Sequence, residues 1–146
     1  MRMTRRGQGL LVALAVIMAV ALAAGGVVVL AGTGGGGMRT TTAGSNGPDR
    51  LTGNDKANVI DGGRGADRIR GRGGDDVLKG GKGGDSIGGG PGFDRLVGGP
   101  GNDTIRARDG HPDEIDCGAG RDFAKVDRHE DGVFDCERVR SPRGPN

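Results

Sequence analysis

A nine-residue pattern recurs without a gap over residues 44–106, and it constrains the fold more than any other feature of the chain. The first position is Gly in every unit, and the fourth is Gly in all but one, where Lys56 stands. A short fixed period of this kind is typical of a solenoid, in which each unit contacts only its neighbours. The seven units read GSNGPDRLT, GNDKANVID, GGRGADRIR, GRGGDDVLK, GGKGGDSIG, GGPGFDRLV and GGPGNDTIR.

Two further positions of each unit carry a fixed kind of side chain. The sixth position is Asp or Asn: Asp49, Asn58, Asp67, Asp76, Asp85, Asp94 and Asp103. The eighth is Leu or Ile: Leu51, Ile60, Ile69, Leu78, Ile87, Leu96 and Ile105. Glycines at positions one, two and four allow positive φ and close backbone approach, so the first six residues are expected to form a tight turn. The last three are expected to form a short strand in which only position eight points inward.

The repeats contain too little apolar surface to fold by burial alone. Residues 40–146 hold 25 of the 48 hydrophobic residues of the chain, and the repeats supply one inward aliphatic side chain per unit. Stacked units would also bring the Asp carboxylates into a column along each edge. Because like charges at that spacing repel each other, the stack requires a counter-ion. Carboxylates and turn carbonyls suit calcium, which takes oxygen ligands in flexible geometry.

Units such as GGRGADRIR, GGPGFDRLV and GGPGNDTIR resemble the GGxGxDxUx nonapeptide of the hemolysin-type (RTX) calcium-binding repeat proteins. The resemblance implies an all-β fold, a parallel β-roll in which two nonapeptides make one coil. It also implies that Ca²⁺ lies between turns eighteen residues apart. There it would be held by the sixth-position Asp and by backbone carbonyls of the glycine-rich turns.

The resemblance assigns two groups of metal ligands. The carboxylates are Asp49, Asp67, Asp76, Asp85, Asp94 and Asp103. The turn glycines are Gly62, Gly63, Gly65, Gly71, Gly74, Gly80, Gly81, Gly83, Gly89, Gly90, Gly92, Gly98, Gly99 and Gly101. The second unit departs from the family pattern at Lys56 and Asn58, so the site between Asn58 and Asp76 is expected to be defective.

The repeat continues in degenerate form after residue 106, and residues 107–140 are expected to close the open core as a cap. A one-residue insertion gives ARDGHPDEID, which keeps Asp113 and Ile115 in the equivalent places, and CGAGRDFAK keeps Asp122. Asp113 and Asp122 are a candidate further calcium pair. Residues 141–146 are expected to be a frayed tail. The expected cover of the core consists of Phe123, Val126, Val133, Phe134 and Val139.

The chain has two cysteines, Cys117 and Cys136, and both lie in the cap. An even number of cysteines in an exported chain indicates a disulfide. The alternative is a zinc site that also uses His111 and His129, although the spacing matches no structural zinc pattern.

The N-terminal segment is typical of an export signal. Arg2, Arg5 and Arg6 precede an apolar run over residues 10–24, and Ala21-Leu22-Ala23 is a small-x-small cleavage sequence. We therefore expect residues 1–24 to be a signal peptide. The alternative is a membrane anchor over residues 10–31, because the apolar stretch is long enough to span a bilayer. Either interpretation places the repeats outside the cell, secreted or anchored at its surface, after a flexible linker over residues 32–43.

Several classes of function are disfavoured by the sequence. The few Ser and His residues form no triad that spacing supports, so no enzymatic activity is expected. A flexible glycine-rich linker would not need Leu or Ile in every unit. An Arg/Gly nucleic-acid-binding tract would need aromatic side chains on which bases stack. The sequence thus predicts a small exported module that binds calcium and folds on binding it.

The alternative is a structural or adhesive module at the cell surface. Four outward residues, Arg50, Arg68, Arg70 and Arg106, are predicted to lie on the same sheet. Together they would form a basic stripe suited to an anionic polymer.

Overall fold

The computed structural model describes residues 28–31, 40–127 and 132–142, and these form a parallel β-solenoid of about five turns. The predicted signal peptide, residues 1–24, lies outside the described residues. Only residues 28–31 of the alternative anchor are described, and they form a strand. No helix within the described ranges is long and apolar enough to cross a membrane.

The strands form two sheets whose inward side chains share one core. The seven-stranded sheet contains, in spatial order, β1 (Val28–Ala31), β2 (Thr40–Ala43), β4 (Asn58–Arg64), β6 (Val77–Lys82), β8 (Arg95–Val97), β10 (Glu114–Asp116) and β12 (Gly132–Phe134). The six-stranded sheet contains β13 (Arg138–Arg140), β11 (Phe123–Val126), β9 (Thr104–Ala107), β7 (Ser86–Gly88), β5 (Arg68–Arg70) and β3 (Arg50–Thr52).

The register follows the nine-residue period. Leu78 lies between Ile60 and Leu96 on neighbouring parallel strands, so adjacent strands of a sheet are eighteen residues apart. This confirms the prediction that two nonapeptides make one coil. The one-residue insertion before β10 changes the spacing to nineteen, with Leu96 beside Ile115. The strand pair β1–β2 is antiparallel, unlike the other pairs.

From β3 to β10 the core is a ladder of one Leu or Ile side chain per strand, as predicted. The residues on either side of each buried side chain point outward, for example Arg68 and Arg70 beside Ile69. The side chains of the ladder are all at most 1% exposed: Leu51, Ile60, Ile69, Leu78, Ile87, Leu96, Ile105 and Ile115.

The roll begins before the first predicted repeat. Thr40–Ala43, predicted as the end of a flexible linker, is strand β2 and pairs in parallel with β4. Thr42 lies beside Ile60 and is buried, so it occupies the core position that Leu or Ile fills in later coils.

The cap covers the core with fewer residues than predicted. Val126 is buried and Val133 packs partly against the core, but Phe134 and Val139 are about half exposed. Phe134 is wrong as a core residue because it pairs with Asp116, whose register position faces outward. Phe123 likewise takes an outward position beside Thr104, where its ring lies 6.0 Å from the guanidinium carbon of Arg138.

Val139 is also wrong as cover, for a different reason. It lies beside Ala124 in the inward register, but its strand, β13, is the edge strand at the C-terminal end of the roll, and no described strand pairs with its other side. The Cys117–Cys136 disulfide, with its Cα atoms 5.1 Å apart, ties β10 to the segment between β12 and β13.

Candidate metal centre

Each sixth-position residue stands at the start of a strand, so successive coils stack these side chains into two columns. The column on one side, which we call the first edge, consists of Asp49, Asp67, Asp85, Asp103 and Asp122. The column on the other side, the second edge, consists of Asn58, Asp76, Asp94 and Asp113. The structure therefore brings the predicted repeat carboxylates together and extends both columns into the cap. It places Asp113 and Asp122 on different edges, so the prediction that these two form a pair is wrong.

Within each column one carboxylate oxygen, Oδ1, is used by the backbone. The N–H of Asp67 donates to Oδ1 of Asp85 at 2.7 Å, and the N–H of Asp85 donates to Oδ1 of Asp103 at 2.7 Å. The second edge repeats this pattern, since the N–H of Asp76 donates to Oδ1 of Asp94 at 2.9 Å. Each hydrogen bond joins two consecutive coils and fixes their register.

In six of these carboxylates the other oxygen, Oδ2, has no hydrogen-bond partner within the described structure. A buried polar atom without a partner is rare in native proteins and costs free energy, so each of these oxygens needs a ligand. Oδ2 is buried in Asp67, Asp76, Asp85, Asp94, Asp103 and Asp122.

The first-position glycines lie directly against these free oxygens. A Cβ on Gly62 would lie 2.5 Å from Oδ2 of Asp67 and 2.5 Å from the carbonyl oxygen of Gly80 in the next coil. A carboxylate oxygen and a carbonyl oxygen thus converge where any side chain would intrude. The expectation of positive φ holds at positions two and four, as in Gly81 and Gly83, but is wrong at position one, where lack of space requires the glycine.

Burial raises the pKa of the stacked carboxyls, because a charged carboxylate is poorly solvated there. It raises the pKa of Asp94 to about 7 and that of Asp103 to about 6, against opposing backbone hydrogen bonds. The pKa values of Asp67, Asp76, Asp85 and Asp122 are also raised, first by burial. A cation beside Oδ2 would favour the ionised form, so these groups suit a bound metal.

The two N-terminal members of the columns differ from the inner ones. Oδ2 of Asp49 accepts hydrogen bonds from the backbone N–H and the hydroxyl of Ser45, at 2.6 and 2.9 Å. Asn58 keeps the backbone hydrogen bond to Oδ1 of Asp76, and its amide nitrogen donates to the same oxygen at 3.0 Å. Asp49 therefore already has hydrogen-bond partners, and Asn58 brings no charge to its edge.

The C-terminal end of the first edge carries a residue that the sequence analysis missed. The backbone N–H of Asp122 donates to Oε2 of Glu137 at 2.7 Å, and this bond lowers the pKa of Glu137. Glu137 stands directly before β13, as Asp does before the earlier strands. The signal was present in the sequence, since Glu-Arg-Val-Arg over residues 137–140 matches Asp-Arg-Ile-Arg over residues 67–70.

A second missed residue lies in the turn that carries the insertion. Oxygens of Asp94, Asp109 and Asp113 all lie within 4.8 Å of one another, with one oxygen from each carboxylate. Asp109 was not identified because the insertion shifts it out of the nine-residue frame.

The structure contradicts the alternative zinc site, because Cys117 and Cys136 are bonded to each other. His111 instead faces Asp109, with its Nδ1 3.4 Å from Oδ1 of that carboxylate. His129 lies outside the described residues.

The donor set of the two edges consists of carboxylate and backbone carbonyl oxygens. Hard oxygen ligands of this kind fit Ca²⁺, which accepts six to eight oxygens at about 2.3–2.6 Å in flexible geometry. They suit the thiol- and imidazole-preferring transition metals poorly.

Comparison with known proteins agrees with this geometry. The family model of the RTX calcium-binding nonapeptide repeat (4 copies) matches residues 43–78, 52–87 and 88–124, which together span more than half of the chain. No curated protein and no solved structure matches the chain.

Proposed function

The chain belongs to the RTX calcium-binding nonapeptide repeat family, whose repeats bind Ca²⁺, and from this premise we propose that it is a small exported module that folds on binding calcium. The observation that carries the proposal is the column of buried Oδ2 atoms without partners on each edge. The family is generally non-enzymatic, so the proposal includes no catalysis.

The coupling to folding follows from the composition of the core. From β3 to β10 each strand buries one Leu or Ile side chain, while the turns from Asp67 to Asp122 each bury one carboxylate. In the absence of a cation, burying the carboxylates opposes the gain from the thin apolar ladder. Since the edges exist only when the coils are stacked, the binding free energy of calcium becomes folding free energy.

We assign the ligands by their place in the columns. The inner carboxylates Asp67, Asp76, Asp85, Asp94 and Asp103 supply Oδ2, and carbonyl oxygens of the glycine-rich turns complete the coordination. Asp49 contributes less than the inner members because Ser45 already donates to it. Asn58 contributes no charge.

The test is a calcium titration of the chelator-treated protein by far-ultraviolet circular dichroism and calorimetry. Calcium is expected to produce β-structure cooperatively. Magnesium is the control and should substitute poorly, because it requires near-ideal octahedral geometry and retains its waters. A spectrum that is the same in chelator and in excess calcium would contradict folding on binding.

Export is tested separately by the N-terminus of the protein from its native host. RTX repeat proteins are typically extracellular. A mature chain that begins near Ala24 supports a cleaved signal, and an intact Met1 in the membrane fraction supports the anchor. An intact Met1 on soluble cytoplasmic protein would contradict export.

A second candidate function, binding of an anionic polymer, is favoured by the outer face of the six-stranded sheet. Its outward positions carry no Asp or Glu, while those of the opposite sheet pair Lys79 with Asp61 and Arg95 with Glu114. The basic side chains of this face, which we call the basic face, are Arg50, Arg68, Arg70, Arg106, Lys125, Arg138 and Arg140.

The register places like charges side by side on the basic face. Arg50 is directly opposite Arg68, an arrangement that destabilises a sheet unless an anion lies between the charges. Small residues at Ser86 and Gly88 leave a cleft of about 230 Å³ lined by Arg68, Arg70 and Arg106. Guanidinium groups around a cleft suit sulfate, phosphate or carboxylate groups of a polymer.

The test is retention on a column of sulfated polysaccharide. The double variant Arg68→Gln/Arg70→Gln should elute at lower salt than the wild type. Lys79→Gln/Lys82→Gln, which removes the same charge from the opposite sheet, is the control and should elute nearer to the wild type. Equal shifts in both variants would show a net-charge effect and contradict a specific face.

A further inference from the structure

The turn between β9 and β10 is built differently from the regular turns of the roll. It contains the one-residue insertion and holds Asp109 in a fixed position. The N–H of Asp109 donates to Oδ2 of Asp127 at 2.9 Å, and its Oδ1 accepts from the N–H of His111 at 2.8 Å. Its Oδ2 is buried and has no hydrogen-bond partner within the described structure.

Asp109 points toward the second edge of the roll. One oxygen each from Asp94, Asp109 and Asp113 lies within 4.8 Å of the other two. Asp94 is only 3% exposed, and its own Oδ2 also lacks a hydrogen-bond partner. The charge of Asp109 is among those that raise the pKa of Asp94, after burial and the neighbouring Asp76. Two carboxylates that each carry a buried oxygen without a hydrogen-bond partner therefore lie beside a third carboxylate.

The regular turns supply a backbone carbonyl where this one supplies a side chain. A Cβ on Gly71 would meet both Oδ2 of Asp76 and, at 2.7 Å, the carbonyl oxygen of Gly89 in the next coil. At Gly89 itself, the three nearest atoms all belong to Asp94, and no atom of the following coil is among them. No carbonyl oxygen of the following coil therefore lies within 3.1 Å of the Cβ position at Gly89, and the carboxylate of Asp109 lies near Asp94.

We propose that Asp94, Asp109 and Asp113 form a calcium site at the C-terminal end of the second edge, which differs from the regular repeat sites because a turn side chain replaces a backbone carbonyl. This inference rests on the proposed calcium binding of the roll. Affinity for Ca²⁺ rises with the number of charged ligands and with the rigidity of the site. Asp109 is held by Asp127 and His111, and the carboxylates of Asp94 and Asp113 are held by the backbone hydrogen bonds of the column. Three carboxylates fixed in this way make this the tightest site on the second edge. It also joins the sixth repeat, the last one on the second edge, to the cap, since Asp94 precedes β8 and Asp113 precedes β10.

The test compares Asp109→Asn with Asp55→Asn in the full chain, using calcium alone as the probe. Asn keeps the oxygen that accepts from the N–H of His111 and removes the charge. Asp55 is the matched control, because it occupies the third position of a turn on the same edge, is exposed and loses the same charge. Native mass spectrometry counts the bound ions, and calorimetry gives their affinities.

We expect Asp109→Asn to lose one ion, or to bind its tightest ion roughly tenfold or more weakly, as loss of a ligand requires. Asp55→Asn should retain the wild-type count and affinities. If Asp109→Asn binds calcium as the wild type does, the site is overturned while the repeat sites stand. A wild type that binds no calcium would overturn the proposed function itself.

A folding control separates a lost ligand from a damaged turn. By mass action, Asp109→Asn should recover the wild-type circular dichroism spectrum when the calcium concentration is raised. A variant that stays unfolded at every calcium concentration would show that Asp109 has a structural role only, and would overturn the site.

Discussion

The backbone N–H of Asp85 donates a 2.7 Å hydrogen bond to Oδ1 of Asp103, the acidic residue one coil further on the same edge. Asp85 in turn accepts at its own Oδ1 from the N–H of Asp67. The two oxygens of each carboxylate thus have separate roles. Oδ1 fixes the register of the coils, and Oδ2 remains for a cation. This division allows the two roles to be tested separately by substitution.

The first prediction uses Asp85→Asn, which keeps an acceptor at Oδ1 and removes the charge at Oδ2. Asn58 shows that the position accommodates an amide, since its backbone hydrogen bond to Asp76 is retained. Because Asp85 lies between Asp67 and Asp103, we expect the calcium midpoint of folding to rise at least roughly tenfold. The variant should still fold at saturating calcium. A circular dichroism titration measures the midpoint, and an unchanged value would contradict the assignment of Asp85.

The converse substitution, Asn58→Asp, is the control, because it adds a carboxylate charge where Asp85→Asn removes one. It adds a carboxylate next to Asp76, where the amide nitrogen of Asn58 now donates to Oδ1. The metal-free chain should become less stable because like charges then face each other. In calcium the variant should bind one more ion, which native mass spectrometry would detect.

The second prediction concerns the pH dependence of the metal-free chain. The pKa values of Asp94 and Asp103 are raised to about 7 and about 6, whereas an unfolded Asp titrates near about 4. Between these values the folded state binds more protons than the unfolded state, so the stability of the fold decreases as pH rises. The contribution is fully present below about pH 4 and is lost as pH rises through about 6 to 7.

Calcium should reverse this trend, because it competes with protons for the same oxygens. Its affinity should fall as pH is lowered through 7 and 6. The measurements are the folded fraction of calcium-stripped protein, by far-ultraviolet circular dichroism between pH 4 and pH 8, and the thermal unfolding of calcium-saturated protein over the same range. A stripped chain that becomes more stable from pH 5 to pH 7.5 would be inconsistent with the raised pKa values.

The third prediction tests the space at the first-position glycine with a matched pair. A Cβ on Gly80 would overlap Oδ2 of Asp85 and lie 2.7 Å from the carbonyl oxygen of Gly98, whereas a Cβ on Gly88 would meet nothing within 4 Å. Gly80→Ala should therefore cost about 1–3 kcal/mol through overpacking and weaken calcium binding. Gly88→Ala should be neutral or stabilise by a few tenths of a kcal/mol up to about 1 kcal/mol. If Gly80→Ala and Gly88→Ala change the unfolding midpoint of the calcium-bound protein equally, the predicted lack of space for a side chain at Gly80 is contradicted.

Much of this architecture could be predicted from the sequence because the period itself encodes it. Position eight gives the core and position six gives the edges, and the register of eighteen residues follows from two units per coil. The prediction missed positions at which another residue type takes the place of the Leu, Ile or Asp of the repeat. Thr42 fills a core position without being aliphatic, and Glu137 ends the first edge without being Asp.

The remaining differences arise where the chain leaves the frame or the stack ends. The insertion before β10 moves Asp109 toward Asp94, and no period indicates that contact. Val139 has the right register for the core but is half exposed on β13, the edge strand at the C-terminal end of the roll. The burial of a side chain depends on the coil that covers it as well as on its position in the repeat. The period alone therefore predicts too many buried residues at the C-terminal end of the roll.

The fourth prediction concerns the disulfide that holds the cap to the last coils. Cys117 is fully buried, and its carbonyl oxygen accepts from the N–H of Gly99 at 3.0 Å, so it lies within the turn stack. Cys136 follows nineteen residues later and packs against the core, immediately before Glu137. Closing a loop of this length restricts the unfolded chain and stabilises the fold by about 3 kcal/mol.

Reduction of the calcium-bound protein should therefore lower the urea midpoint of unfolding. The double variant Cys117→Ala/Cys136→Ala, which should have a low midpoint with or without reductant, is the control. Calcium binding by the inner pair Asp67 and Asp85 should persist after reduction, because their ladder hydrogen bonds lie in coils that the disulfide does not join. An identical midpoint for the oxidised and reduced protein would show that the stacking of the cap coils, with Glu137 bonded to Asp122, holds the end of the roll without the covalent link.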